Sequence, residues 1–130
     1  MKKIIAIALT VIMMLALCAC GAKDSGADSD LKCVQDKGTL IVGITDFAPM
    51  DYQDESGEWI GFDADMAKLV AEKLGVEVEF QIINWDMKVE ELDGKQIDCV
   101  WNGMTLTDGV QAAMECSNAY CENAQVVITK

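Results

Sequence analysis

The sequence predicts an α/β fold in which a mainly parallel sheet is flanked by helices. Short apolar segments rich in β-branched residues alternate with amphipathic helical segments, in the order strand, helix, strand, helix, strand. The length of 130 residues allows one domain at most. We expect right-handed crossovers between the parallel strands, with the carboxyl ends of the strands meeting at the edge where small molecules bind.

The first elements follow from local patterns. A helical turn is predicted over residues 31–36, and the apolar run at residues 40–44 is the first predicted strand. The polar sequence YQDESGE at residues 52–58 indicates a hairpin turn, which residues 51–52 and 59–60 flank.

A longer amphipathic helix is predicted to begin at Phe62. Asp63 suits the N-cap position, Asp65 suits the first turn, and Gly75 suits the position just after the helix. Apolar residues spaced at i, i+3, i+4 and i+8 predict the buried face, which consists of Met66, Leu69, Val70 and Leu74.

The second half of the chain continues the alternation. Residues 76–80 alternate as a strand does, residues 86–92 form a helical segment, and residues 97–101 suit a strand that is buried on both faces. A short helix over residues 108–114 follows, with Thr107 as its N-cap. Residues 125–129 are predicted to form a last strand.

Three predicted strands are each followed by residues that suit ligand binding. Asp46 follows the first strand, Trp85 the second, and residues 102–105 the third. Because the carboxyl ends of parallel strands share one edge of the sheet, we expect these residues to form one wall of a solute pocket. The alternative is an ordinary strand-turn-helix connection with no ligand.

The composition excludes several classes of function. The chain has 22 acidic residues and 10 basic ones, has no His, and carries a formal net charge of −12. A nucleic-acid partner is excluded because there is no basic footprint. Histidine catalysis and histidine metal sites are impossible, the ten basic residues are all Lys, and no C-x-x-C pair suggests a metal site.

Residues 1–19 are predicted to be a signal peptide and not part of the fold. Lys2 and Lys3 supply the positive start, and residues 4–17 form an apolar stretch. This stretch is shorter than the roughly 18–20 residues that a membrane-spanning helix needs.

The end of this segment resembles a bacterial lipobox. Leu17 lies three residues before Cys20, and the small residue Ala19 lies just before it. The resemblance implies cleavage before Cys20 and attachment of a diacylglyceryl group to its thiol. Residues 20–36 would then be a lipidated cysteine and a flexible tether. A plain secretory signal is the alternative.

The other cysteines leave the redox state open. An exported chain could oxidise Cys33, Cys99, Cys116 and Cys121. Cys116 and Cys121 could pair if their geometry allowed it, whereas Cys99 lies in an apolar strand and suits a buried thiol.

Five motifs stand in a fixed order along the chain. They are residues 38–43 (GTLIVG), 59–65 (WIGFDAD), 94–98 (GKQID), 103–107 (GMTLT) and 116–120 (CSNAY). Together they resemble the extracellular solute-binding proteins of ABC importers, family 3. That resemblance implies a type II periplasmic-binding-protein-like clamshell of two α/β lobes, in which residues 37–130 would be an incomplete first lobe that is truncated at the hinge strand.

The resemblance also implies a set of ligand-binding residues. A loop carboxylate would pair with an ammonium group, aromatic rings would pack on the ligand, and the segment after the third strand would offer backbone and hydroxyl groups. For each residue, a turn or core role is the structural alternative. The set is Asp46, Phe47, Trp85, Asn102, Gly103, Met104 and Thr105.

Val110 departs from the family pattern, because the family usually has an Arg there that grips the ligand carboxylate. Valine has no side-chain donor. The carboxylate could be held instead by N–H groups near Thr107, by Thr105, or by the second lobe. The alternative is that the ligand is a cationic amine-type solute.

The function that the resemblance implies is that of a substrate-binding lipoprotein. It would bind a polar amino acid or related solute and deliver it to ABC permease subunits, anchored by lipid at the outer face of the cytoplasmic membrane. An enzyme is not expected, since Asp46 has no acid–base partner, and neither a cofactor nor a metal is expected. An extracytoplasmic sensing domain of the same fold and a non-functional fragment are the alternatives.

Overall fold

A computed structural model of the chain describes residues 29–124 and 126–130. The predicted signal peptide, Cys20 and residues 21–28 of the predicted tether lie outside the described residues. In chain order, the elements are α1 (Asp30–Lys37), β1 (Thr39–Ile44), β2 (Tyr52–Gln53), β3 (Trp59–Ile60), α2 (Phe62–Leu74), β4 (Glu77–Ile82), a 3₁₀ turn (Trp85–Met87), α3 (Lys88–Asp93), β5 (Cys99–Val100) and α4 (Asp108–Ala113).

The main sheet has three parallel strands in the order β4–β1–β5, which confirms the predicted parallel sheet. Strand β1 pairs with β4 along its whole length, from Thr39 opposite Glu77 to Ile44 opposite Ile82. Strand β5 is short and pairs only with the middle of β1. The predicted hairpin is formed by β2 and β3, which are antiparallel.

The hydrophobic core lies between β1 and the helices α1 and α2. Val42 of β1 is fully buried against Ala67 and Ala71 of α2, and Val34 of α1 joins the same cluster. The alanines let the helix backbone lie close to the sheet, because a methyl group is the smallest side chain that still fills the interface.

The predicted buried face of α2 was therefore partly wrong. Leu69 is half exposed, whereas the fully buried residues are Asp63, Ala64, Ala67 and Ala71. The spacing of the apolar residues predicted that the large side chains lie inside, but the close approach of the helix to the sheet favours small side chains there. Asp63 is not the N-cap either. Gly61 holds that position and makes no side-chain capping bond, and Asp63 lies inside the first turn.

Two predicted strands are shorter than expected or not formed. Only Cys99 and Val100 pair within the predicted strand at residues 97–101. The predicted last strand was wrong for the described residues 126–130, where Val127 and Ile128 are 90% and 92% exposed. An extended segment becomes a strand only when a neighbour accepts its hydrogen bonds, and none of the described residues does so here.

Asp98, the one charged residue in the apolar run, joins β1 to the segment before β5. Its carboxylate accepts a hydrogen bond from the backbone N–H of Ile41 at 2.7 Å and from the Lys37 ammonium group at 2.6 Å. The backbone N–H of Asp98 donates to the Ile41 carbonyl at 2.8 Å. Asp98 thus continues the strand pairing through its side chain, which explains why an acid stands at this position.

Within residues 29–124 and 126–130, no helix has the length and hydropathy needed to cross a membrane. The same part of the chain holds no group of three or more acidic or cysteine side chains placed to bind a metal ion.

Candidate functional site

A small cavity of about 230 Å³ opens at the carboxyl ends of the three parallel strands. Thr45 and Phe47 follow β1, Trp85 follows β4, and Asn102 and Gly103 follow β5. Four of the seven candidate ligand-binding residues, all but Asp46, Met104 and Thr105, therefore line one cavity at the strand edge. Thr45 was missed by the sequence analysis, although its place directly after β1 is a signal that could have found it.

Asn102 links the ends of β1 and β5. Its side chain is buried, and its amide nitrogen donates to the Thr45 hydroxyl and to the Thr45 carbonyl. Its amide oxygen accepts the backbone N–H of Gly103 at 2.9 Å. The Gly103 N–H, one of the predicted ligand contacts, is therefore already satisfied in this conformation.

Two aromatic rings give the cavity its apolar surface. The Phe47 ring lies directly over Gly103, where a β-carbon would come within 2.9 Å of the ring edge. Trp85 is half buried and begins the 3₁₀ turn, which Asn84 caps by accepting the Asp86 N–H at 3.1 Å. The absence of a side chain at Gly103 thus makes room for one of the two walls.

The other candidates lie elsewhere. Asp46 is exposed and lines neither this cavity nor a larger neighbouring one. Met104 and Thr105 line the larger cavity, of about 1000 Å³, which shares Phe47, Asn102 and Gly103 with the small one. The Thr105 hydroxyl accepts a hydrogen bond from the Asn123 amide at 3.0 Å.

The larger cavity lies between the sheet and the segment of residues 114–124. Tyr120 anchors this segment, since its ring packs 6.2 Å from the Phe62 ring and 6.3 Å from the Trp101 ring, centroid to centroid. The lining of the larger cavity is predominantly apolar and includes side chains such as Leu40 and Val70. The small cavity is the better solute site, because it lies where three strand ends converge and combines two aromatic rings with the polar groups of Thr45 and Asn102.

A pair of buried acids lies beside this region. Asp51 and Asp63 are both 0% exposed, and none of their four carboxylate oxygens accepts a hydrogen bond from the described residues. Burial, and then the charge of Asp63, raises the pKa of Asp51 to about 7, against a smaller opposing effect of the Ala64 backbone N–H. Burial likewise raises the pKa of Asp63, and Tyr120 and Trp101 oppose that rise. The pair therefore favours holding a proton near neutral pH.

The four cysteines among the described residues are free thiols, including Cys116 and Cys121, for which pairing was left open. Burial raises the pKa of Cys99 to about 12, as expected for an inert thiol in an apolar strand.

Val110, where an Arg would be expected from the family pattern, lies in the first turn of α4. Its backbone N–H donates to the Thr107 hydroxyl at 3.3 Å, so Thr107 is the N-cap that the sequence predicts. Neither residue lines the small cavity or the large one.

The chain matches known proteins along most of its length. The sequence profile of the bacterial extracellular solute-binding proteins, family 3, matches residues 40–130. The chain is 32% identical over 131 residues to the arginine-binding extracellular protein ArtP of Bacillus subtilis, covering 100% of the chain and 49% of that protein. Other relatives are named for binding L-cystine, histidine or glutamine. The chain spans about half the length of the curated relatives it matches.

Solved structures with the same fold include a binding domain and an enzyme. An ancestral cyclohexadienyl dehydratase is 38% identical with a TM-score of 0.69, over 73% of this chain and 40% of that one. The arginine-bound form of domain 1 from TmArgBP, a protein of T. maritima, is 38% identical with a TM-score of 0.58, over 61% of this chain and 64% of that one.

Proposed function

The chain belongs to the bacterial extracellular solute-binding proteins, family 3, and we propose that it binds a polar amino acid or related small solute for an ABC importer. This membership confirms the family that the motifs indicated. The type II periplasmic-binding-protein-like fold is likewise confirmed by the solved relatives. We further propose that residues 30–130 belong to the first lobe, since α1 is helical and its Val34 lies in the core.

The observation that carries the proposal is the small cavity at the ends of β1, β4 and β5. Its volume of about 230 Å³ is below the roughly 300–1000 Å³ typical of drug-sized ligands, so it suits a solute of amino-acid size. Phe47 and Trp85 supply apolar surfaces for an aliphatic chain, and the polar groups of Thr45 and Asn102 lie at the strand ends. Asp46 follows Thr45 directly and is exposed, and we propose that its carboxylate pairs with the ammonium group of a bound solute.

Binding without catalysis fits this site best. Among the five residues that line the small cavity, none has a side chain that could act as a general acid or base at neutral pH. The known relatives are mostly named as binding proteins, and the dehydratase is the exception among the solved structures described above. We therefore propose that the chain delivers its solute to a permease unchanged.

Replacing Trp85 with Ala is expected to weaken solute binding about tenfold, because the apolar wall would lose its largest ring. The measurement is isothermal calorimetry on the purified full chain against a panel of amino acids and amines. Trp59→Ala is the matched control, since the Trp59 ring packs on Phe80 at 6.3 Å and lines neither cavity.

Two results would contradict the proposal. One is a wild-type chain that binds no member of the panel. The other is equal binding by the Trp85→Ala and wild-type chains, with circular dichroism showing both to be folded.

We propose that the protein is extracytoplasmic and anchored through a lipid on Cys20. The family is extracellular, and Leu17 and Ala19 precede Cys20 at the positions that a lipobox requires. Cys20→Ala is expected to abolish incorporation of labelled fatty acid. Cys18→Ala is the matched control and is expected to keep the label, because Leu17 directly before Cys18 is too large for a lipobox. Labelling that survives Cys20→Ala would refute the lipid site.

A further inference from the structure

Lys88 lies over the ring of Trp85, the aromatic residue on the β4 side of the small cavity. Its ammonium nitrogen is 4.7 Å from the ring centroid and also donates to the Trp85 carbonyl at 3.0 Å. The side chain of Lys88 is half buried. Both contacts join the same two residues, so they hold the ammonium group against the indole in one position.

Lys88 makes no direct ion pair with a carboxylate of the described residues. In the described part of the chain, lysine forms an ion pair at Lys32 with Asp36, at Lys37 with Asp98 and at Lys68 with Glu58, but not at Lys88. This is notable in a chain with 22 acidic residues. The positive charge therefore acts on the indole and on whatever binds against it.

None of the residues that line the small cavity carries a charge, and Lys88 itself does not line it. The Lys88 ammonium group therefore acts on the cavity only through its contact with the Trp85 ring and through its charge. An aromatic face attracts cations through its quadrupole. When one cation already lies against the ring, a second cation that approaches the same indole is repelled by the first.

We propose that Lys88 is a specificity-determining residue of the solute site, which positions the Trp85 indole and disfavours solutes with a cationic side chain. This inference rests on the proposed function and deepens it by naming the solute class. The site selects amino acids whose side chains are polar and neutral, as in glutamine, over those that carry a second positive charge, as in arginine. Lys88 acts through Trp85 and through its charge, without contact to the solute.

The test compares Lys88→Met with Lys88→Arg in the purified full chain. Methionine keeps the apolar stem and removes the charge, whereas arginine keeps the charge and the stacking on the ring. Calorimetry with glutamine and with arginine gives the ratio of the two dissociation constants for each chain. Lys73→Met, at the exposed end of α2, controls for the change in net charge alone.

The wild-type chain is expected to bind glutamine more tightly than arginine. Lys88→Met is expected to raise the arginine affinity roughly three- to tenfold while changing glutamine affinity less than about twofold. Lys88→Arg and Lys73→Met are expected to keep the wild-type ratio. Raising the salt concentration is expected to reduce the preference of the wild-type chain but not that of Lys88→Met, because salt screens the charge.

The failures of the two proposals are distinguishable. The role of Lys88 is overturned if the ratio of the glutamine and arginine dissociation constants is the same in the wild-type and Lys88→Met chains. It is also overturned if Lys88→Met weakens the binding of both solutes equally, because a purely structural role would produce that result. If no chain binds any amino acid or amine, the proposed function fails and the role of Lys88 fails with it.

Discussion

Replacing Asp51 with Asn is expected to stabilise the protein above pH 7 and to remove most of the loss of stability that the wild-type chain suffers as the pH rises from about 4 to 7. The cause is the burial of two carboxyl groups side by side. Asp51 and Asp63 are both fully buried, and within residues 29–124 and 126–130 no group donates a hydrogen bond to their carboxylate oxygens. Asparagine keeps the shape of Asp51 and cannot ionise.

The sign follows from the pKa of Asp51 in the two states. It is about 7 in the folded chain, against 3.8 for an exposed carboxyl group. Below pH 3.8 both states hold the proton, and the folded state is at its most stable. As the pH rises from there, the unfolded chain releases its proton while the folded chain retains its own, so the free energy of unfolding falls by about 1.4 kcal/mol per pH unit. The total loss by pH 7 is on the order of 4 kcal/mol.

Urea unfolding at pH 4.5, 6 and 7.5, followed by circular dichroism, measures this dependence. Asp65→Asn is the matched control, because Asp65 lies on α2 beside Asp63 but is exposed. We expect the control to keep the slope of the wild-type chain and Asp51→Asn to flatten it. A wild-type chain whose stability does not fall across this range would show that the acids are not buried as a pair.

Local sequence patterns predicted those strands, turns and helix ends that depend on residues close together in the chain. The continuous apolar run of β1, the polar turn between β2 and β3, and Gly75 just after α2 each follow from the preferences of a few neighbours. The buried face of α2 did not follow, because it depends on how closely the helix approaches the sheet. Residues 126–130 did not form a strand, since a strand also depends on a partner elsewhere in the chain.

The candidate site was predictable to the extent that strand order determines it. Strand order predicted that Asp46, Trp85 and residues 102–105 lie together. The structure brings Trp85, Asn102 and Gly103 to one cavity, whereas Met104 and Thr105 line the larger one and Asp46 lines neither. Phe47, which the family resemblance indicated, also lines the small cavity. Lys88 was missed, although its i+3 spacing from Trp85 in a helical segment could have indicated the contact. No local sequence pattern predicted the Asp51–Asp63 pair, because it forms where the loop before β2 meets the first turn of α2.

Replacing Gly61 with Ala is expected to destabilise the fold by roughly 2–5 kcal/mol, because two costs combine. Gly61 has a φ of +117°, which side-chain-bearing residues rarely adopt. Its hydrogen also faces the backbone of the preceding loop, where a β-carbon would lie 2.7 Å from the Met50 carbonyl carbon, closer still to the Met50 oxygen, and 2.8 Å from the Pro49 oxygen. These are backbone atoms, so no side-chain rotation relieves the clash.

The same carbonyls cap the start of α2. The Phe62 N–H donates to the Pro49 oxygen at 3.2 Å, and the Asp63 N–H donates to the Met50 oxygen at 2.9 Å. A methyl group at residue 61 would force these atoms apart and would leave helix N–H groups without partners. Gly57→Ala is the matched control, since Gly57 has a φ of +85° but nothing within 4 Å of the added carbon. Its expected cost is about 1–2 kcal/mol, from backbone strain alone.

Thermal and urea unfolding of both variants would separate backbone strain from steric crowding. Equal losses of stability at the two glycines would contradict the close contact between the loop and the helix at Gly61.

The same contact also explains the pair of buried acids. Asp51 follows Met50 in the loop, and Asp63 lies two residues after Gly61 in the helix, so the contact that leaves no room for a methyl group also brings the two carboxyl groups together out of water. If Gly61→Ala still folds, its stability should therefore depend less on pH than that of the wild-type chain, because a loosened contact admits water to Asp51 and lowers its pKa toward that of an exposed carboxyl group.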